Sequence, residues 1–350
     1  MICVMFFNYT KLNRYAVVLS FAFIIFALYA VFNNGYGFIT FFASFNIADF
    51  LMLVVIPFAA LLYRAIKNKR ILPLTGIYFL LIFFTFIMYI LHNYADVIIF
   101  VLCALIVYIV AAIKKPFKIS KMLFLLIFLI SAVFILYHIF AQPPYSYNRW
   151  TAFITRGQSD PLGSGWMIIQ IDNVLKTAKL FGTADFADRT GILIFDWKCT
   201  FILVNIVAHL GWAVGIAVMA AIAAFIAQLF RITAKIKNCL GFYIALSSSI
   251  MLALRFVTGI LMNFGLFPIT DLYIPFLSYQ GSGYIVDMIL LGMVLSVWRY
   301  NKIYSRAPEI KSRNILPAKI RELLSPSIKK IADYMYNIAD GDSDNDKNNK

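Results

Sequence analysis

Charge is what this chain has least of. Asp, Glu, Lys and Arg together make up 13% of its 350 residues, hydrophobic residues make up 62%, and the mean hydropathy is +0.84. A soluble domain is about a quarter charged and about half apolar, so a water-soluble globular fold is excluded. Cysteine is nearly as scarce. Cys3, Cys103, Cys199 and Cys239 lie far apart and form no CxxC pair, so neither a zinc site nor a disulfide framework is indicated. His92, His138 and His209 are equally scattered, and nothing in the sequence requires a metal or a cofactor. No cleavable signal peptide is evident. Lys11 and Arg14 precede an apolar run from Tyr15 to about Phe32, which is long enough to span and lacks a small-residue cleavage pattern.

Apolar runs of membrane-spanning length are abundant. Eight are long enough to cross about 30 Å of hydrocarbon, with approximate limits 15–33, 46–63, 72–91, 97–113, 122–140, 199–228, 241–263 and 284–298. The chain is therefore expected to be an all-α polytopic membrane protein of about eight transmembrane helices. Its net charge of +15 resides in short cationic clusters between these runs. Arg64, Lys67, Lys69 and Arg70 follow the second run. Lys114, Lys115, Lys118 and Lys121 follow the fourth, Arg231, Lys235 and Lys237 the sixth, and Arg299, Lys302 and Arg306 the eighth. That clustering fits cytoplasmic loops facing anionic lipid and argues against a nucleic-acid partner. The positive-inside rule then predicts both termini in the cytoplasm, with the lipid bilayer as solvent. On this reading residues 1–298 form the transmembrane domain, with a large outer loop over 142–198. Residues 299–350 form a cytoplasmic tail. Ser325 and Pro326 can start a short amphipathic helix in the tail, and its acidic end is expected to be disordered.

Two outer segments interrupt the apolar pattern. Ile274 to Gly283 is a loop bearing Pro275, Ser278, Tyr279, Gly281 and Ser282, directly ahead of the last run. Non-helical backbone between spans survives only where protein covers it or where it lines a wet cavity. The 142–198 segment holds six basic and five acidic residues, a balance unlike the cationic inner loops. Within it, Asp160-Pro161-Leu162-Gly163-Ser164-Gly165-Trp166 and then Gln170 read as a turn feeding a helix, with Ser164 as its cap. Arg149 offers a planar fork for carboxylate or phosphate. A pocket for an anionic amphiphile and a structured loop with interfacial aromatics both fit these residues. In the spans, Asp49, Asp96, Asp271 and Asp287 lie near the outer border and Arg255 lies deeper. A mid-bilayer charge costs roughly 2.5–3.5 kcal/mol on insertion scales. Arg255 is thus expected either to pair with Asp271 or Asp287 or to snorkel.

These residues resemble the SEDS family (shape, elongation, division and sporulation), the FtsW/RodA/SpoVE group. Its pattern Pro-x-Thr-Gly, then Leu-Pro-Phe-x-Ser-Tyr-Gly-Gly-Ser, is matched by Pro268-Ile269-Thr270-Asp271 and Ile274-Pro275-Phe276-Leu277-Ser278-Tyr279-Gln280-Gly281-Ser282. Arg149 to Phe153, then Asp160-Pro161, Gly163-Ser164-Gly165 and Gln170, resemble the family's outer loop. Phe45 to Phe50 resembles Phe-Gln-Pro-Ser-Glu-Phe. The likeness covers about residues 34–304 and implies a SEDS-like fold with a cavity opening outward between the last spans and the 142–198 loop. It further implies polymerisation of a lipid-linked sugar diphosphate in the bacterial cell membrane, beside a transpeptidase (penicillin-binding protein) partner. The implied binding residues are Arg149, Asp160, Ser164, Gln170, Pro275, Ser278, Tyr279, Gly281 and Ser282.

Departures from the pattern are specific. Family members usually have ten spans, so a shortened N-terminal part is expected here. The family's proposed catalytic Asp lies in Thr-Asp-Phe-Ile-Phe, matched here by Cys199-Thr200-Phe201-Ile202-Leu203. Thr200 cannot serve as a base near neutral pH. Asp196, four residues earlier, is one helical turn away if the segment is helical, and is the candidate catalytic acid. Met52 stands where the family has a Lys. Lys176 and Lys179 replace part of a glycine run, and as point charges they could hold diphosphate. Polymerisation, precursor binding without catalysis, and transbilayer movement of the precursor all remain open at this level.

Overall fold

The computed structural model describes residues 1–32, 47–68, 71–90, 94–114, 144–184, 200–270 and 272–313. Two compact units divide the chain, Met1–Asn301 and Lys302–Lys350. Helices in chain order are α1 Ile2–Phe6, α2 Thr10–Phe32, α3 Ile47–Leu51, α4 Val55–Asn68, α5 Ile71–Ile90, α6 Tyr94–Lys114, α7 Pro144–Ile154, α8 Trp166–Thr177, α9 Ile202–Leu210, α10 Trp212–Ala234, α11 Cys239–Asn263 and α12 Gly281–Arg313. No strand occurs among the described residues. Met52–Val54 forms a 3-10 turn joining α3 to α4, so Asp49–Lys67 works as one span. Pro57 is accepted there because it falls in the first turn of α4, where its missing N–H has no helical acceptor anyway.

Among the described residues, five helices are long and apolar enough to cross a membrane: Thr10–Phe32, Asp49–Lys67, Trp212–Ala234, Cys239–Asn263 and Gly281–Asn301. Ala95–Ala111 is a shorter apolar helix. The expected 122–140 crossing, the Ser325 helix and the acidic end lie outside the described residues. The bundle is built around α11 and the α3–α4 span, both mostly buried, while α10 is peripheral.

Sequence chemistry explains the central position of α11. Asn238 caps it, accepting from Leu240 N at 2.9 Å and Gly241 N at 3.3 Å, which satisfies two of its orphan donors. Gly241 leaves room for the Tyr9 ring and Val297. The serines at 247–249 let neighbours approach closely, and two of them use their hydroxyls. Ser247 donates to Ile244 O, Ser249 lies 3.1 Å from the Thr233 hydroxyl on α10, and Cys103 Sγ on α6 reaches Ser247 O. Small and hydroxyl residues are what helix interfaces in lipid favour. The N-terminal residues pack along α12. Ser296 donates to Phe7 O at 2.6 Å, and Arg299 sits 4.3 Å from the Phe6 ring.

One expected crossing needs correction. The apolar run 199–228 is not a single helix. It breaks at Gly211, whose φ of 91° is open to glycine alone, and the spanning helix is Trp212–Ala234. The break is filled by the chain of 179–184. Trp212 N and Ala213 N donate to Lys179 O and Leu180 O, and Ala184 N donates to Ala208 O. A Cβ at position 211 would lie 2.5 Å from Leu180 O.

Candidate functional site

The Pro275 loop is a folded plug rather than a slack connection. Ser278 is buried, and its hydroxyl accepts from Ile274 N at 3.0 Å while its own N–H donates to Ile274 O. Phe276 is held at φ 60°, a sparsely populated conformation for an aromatic residue. Its ring lies 5.8 Å from Phe225, 6.2 Å from Phe256 and 6.3 Å from Tyr284. Below the loop, Gly259 gives the close approach needed, since a Cβ there would lie 2.9 Å from Ile274 Cγ1. Tyr279 is 82% exposed and is the loop's outward-facing side chain, and Gly281 has open space where a Cβ would be.

Beneath the plug lies a buried polar cluster. Asp49 Oδ2 accepts from the Ser282 hydroxyl at 2.5 Å and from Gln280 Nε2 at 3.2 Å, which ties the first motif to the last. Arg255 is fully buried, not snorkelling. Its Nη1 lies 3.4 Å from Asp287 Oδ1 and its Nη2 3.8 Å from Asp96 Oδ1. It also donates to the Tyr273 hydroxyl and lies 4.9 Å from that ring. The Asp287 partner was legible in the sequence, and Asp271 lies outside the described residues. Asp96 and Tyr273 were missed as partners, although Asp96 carried the signal of a lone acid at the end of an apolar run.

The outer layer consists of α7, α8 and the turn between them. Asp160 organises that turn. Its Oδ2 accepts from Ser164 N at 2.7 Å and from the Ser164 hydroxyl at 3.1 Å. These bonds, with a smaller contribution from Gly163 N–H, hold the carboxyl below its usual range. The expected role of Ser164 as helix cap is corrected. The N-cap of α8 is Gly165, and the Ser164 side chain serves Asp160 and Asn148 O instead. Arg149 Nη1 donates to Ile269 O at 3.1 Å, and Arg156 donates to Gly265 O while lying 3.6 Å from Asp172. The outer segment is thereby fastened to the chain leading into the plug. Lys176 and Lys179 are exposed, as are Leu162, Leu180 and Phe181. Gln170 Oε1 is buried with no hydrogen-bond partner.

Between the outer layer and the plug stands α9. One face packs Val204 and Ala208 on Ile171 and Val174 of α8, and the other packs Leu203 on Phe256 and Ile274. Its N-terminus is capped in trans. Asn263 Oδ1 accepts from Leu203 N and Val204 N, and Asn263 Nδ2 donates to Thr200 O and Gly259 O. Sequence reading missed Asn263, because nothing local links position 263 to 200. Asp196 lies outside the described residues.

The family model of FtsW/RodA/SpoVE cell cycle proteins matches residues 1–303. The chain belongs to that family. Stage V sporulation protein E of Bacillus subtilis (strain 168) is 29% identical over 160 residues, 45% of this chain and 43% of that protein. The peptidoglycan glycosyltransferase MrdB of Escherichia coli (strain K12) is 29% identical over 155 residues, 43% of this chain and 41% of that protein. The chain thus spans less than half the length of these curated relatives in the matched region. Two solved structures share the fold. A peptidoglycan synthase complex described as coordinating polymerization and crosslinking superposes with a TM-score of 0.66 at 18% identity, covering 86% of this chain and 85% of the other. An alanine variant of the rod-shape-determining protein RodA from Thermus thermophilus gives 0.56 at 15% identity, covering 85% and 83%. The expectation of a helical, multi-pass membrane protein of SEDS type holds.

Proposed function

We propose that this FtsW/RodA/SpoVE-family chain works in bacterial peptidoglycan synthesis by engaging a lipid-linked sugar diphosphate at its outer face, beside a membrane transpeptidase. In this reading Lys176 and Lys179 meet the diphosphate as point charges, exposed Leu180 and Phe181 meet the lipid, and Tyr279 meets the sugar. Asp160, Ser164, Arg149 and Ser278 hold the two loops in shape rather than touch ligand, consistent with their bonds to backbone and to one another. Ser282 does so through Asp49, and buried Pro275 is read as shaping the loop rather than touching ligand. Both termini then face the cytoplasm, as the cationic loops indicate.

The observation that carries the choice between binding and polymerisation is Thr200. It stands where relatives are expected to have an acid, with its carbonyl committed to Asn263. Base assistance is worth about 10²–10⁴-fold, and a threonine hydroxyl supplies none near neutral pH. The expected result with purified protein is therefore saturable binding of lipid-linked precursor without polymer. A second reading rests on Asp196, four residues before Thr200 in sequence. Polymer made by the wild type and lost in Asp196→Asn would establish it in place of the first. Precursor crossing the bilayer of proteoliposomes would replace both with a flippase.

A further inference from the structure

Asp287 stands out as a carboxyl group that the proposed function does not use. It is 0% exposed, and its Oδ2 has no hydrogen-bond partner. Its Oδ1 faces Arg255 Nη1 and the Tyr273 hydroxyl, each at 3.4 Å. Those distances are long beside the ~2.7–2.9 Å of an ionised pair. The guanidinium is also shared, since Asp96 on α6 lies 3.8 Å from its Nη2. Asp49 stands on the same cluster, bonded to Ser282 on the helix that carries Asp287. The described titratable groups facing the site are thus Asp49 from the α3 span, Asp96 from α6, Arg255 from α11, Tyr273 from the plug and Asp287 from α12. Neutral Gln280 and Ser282 complete the wall. An ionised carboxylate oxygen without a donor in such a setting costs several kcal/mol.

We propose that Asp287 is a proton-binding site, holding a proton on Oδ2 at neutral pH. The proton leaves a hydronium ion of the aqueous phase, whose O–H bond breaks as the Asp287 Oδ2–H bond forms, and a water molecule is released. Arg255 is then left one ionised carboxylate, Asp96, as its close partner, while Asp49 is held by Ser282 and Gln280. Tyr273, Gln280 and Ser282 all belong to the plug or its junction with α12. The state of this one proton therefore bears directly on how the plug is held. The inference does not rest on wall synthesis, and its test reads no activity.

The test is infrared difference spectroscopy of the full chain in lipid nanodiscs. A protonated-carboxyl stretch is expected at neutral pH in the wild type. It is expected to be lost in Asp287→Asn, shifted in Asp287→Glu and kept in Asp49→Asn. A wild type without that stretch overturns the proposal, even if no variant accumulates. So does a stretch that survives Asp287→Asn unchanged. Should the asparagine variant fail to fold, an unshifted stretch in Asp287→Glu overturns it equally.

Discussion

Asn263 shows how much one buried amide can hold. Its four bonds close the N-terminus of α9 and reach the last turn of α11. Asn263→Ala strands at least two buried backbone groups, each worth about 1–3 kcal/mol. The expected outcome is a loss of at least about 2 kcal/mol, read as a lower unfolding midpoint in detergent. Asn263→Asp keeps the acceptor and loses the donors, so its midpoint is expected to fall between the two. Gly283 is a second such position. A Cβ there would overlap the Tyr273 ring, so Gly283→Ala is expected to destabilise the plug and expose Tyr273. Loss of protection of the 272–280 amides in hydrogen exchange would register the change. The sequence disclosed these residues unevenly. Ser278 and Ser282 were marked by their motif, and both proved to be inward-turned. Their partners, Ile274 N and Asp49, emerge only from the three-dimensional path. Long-range pairs such as Asn263 with Thr200 leave no trace in periodicity.

Among the elements, the α7–α8 turn and the Gly211 break make contrasting cases. The turn was readable from Asp160, Pro161, Gly163 and Gly165, because turn chemistry is local. Its pH behaviour follows from the lowered carboxyl. A group with a depressed folded value contributes stability above its unfolded value and loses it as pH falls through the folded one. Amides at 163–165 are therefore expected to lose protection in acid, after correction for intrinsic exchange rates. In Asp160→Asn they should be less protected at neutral pH and show a flattened acid dependence. The break at Gly211 was hidden, because a single glycine inside an apolar run is ordinarily tolerated. What makes it a break is tertiary: the carbonyls of Lys179 and Leu180 occupy the N-terminus of α10. Gly211→Ala introduces both a clash with Leu180 O and a strained φ. It is expected to release 179–184, seen as faster exchange at Ala184 N with α11 left protected.

At the scale of the whole molecule, the sequence was most reliable where a single physical demand dominates: hydrocarbon requires long apolar helices. The cationic clusters propose an orientation with both termini inside. That orientation has a direct check in the native thiols. Cys3 and Cys239 are exposed and Cys103 is buried. In a Cys199→Ser background, a membrane-impermeant maleimide is expected to label Cys3 and Cys239 in inverted vesicles and neither in intact cells. Cys103 should stay unlabelled in both. What hydropathy alone did not supply is the rank of the helices, since α10 and α11 are both apolar enough to span yet differ widely in burial. That rank matters for how disturbance spreads. Thr200 is bolted to Asn263, Asn263 to the carbonyl of Gly259, and Gly259 lies under Ile274 at the root of the plug. Position 200 is thus tied to the central mast of the bundle by a single amide, one further contact away from the root of the plug.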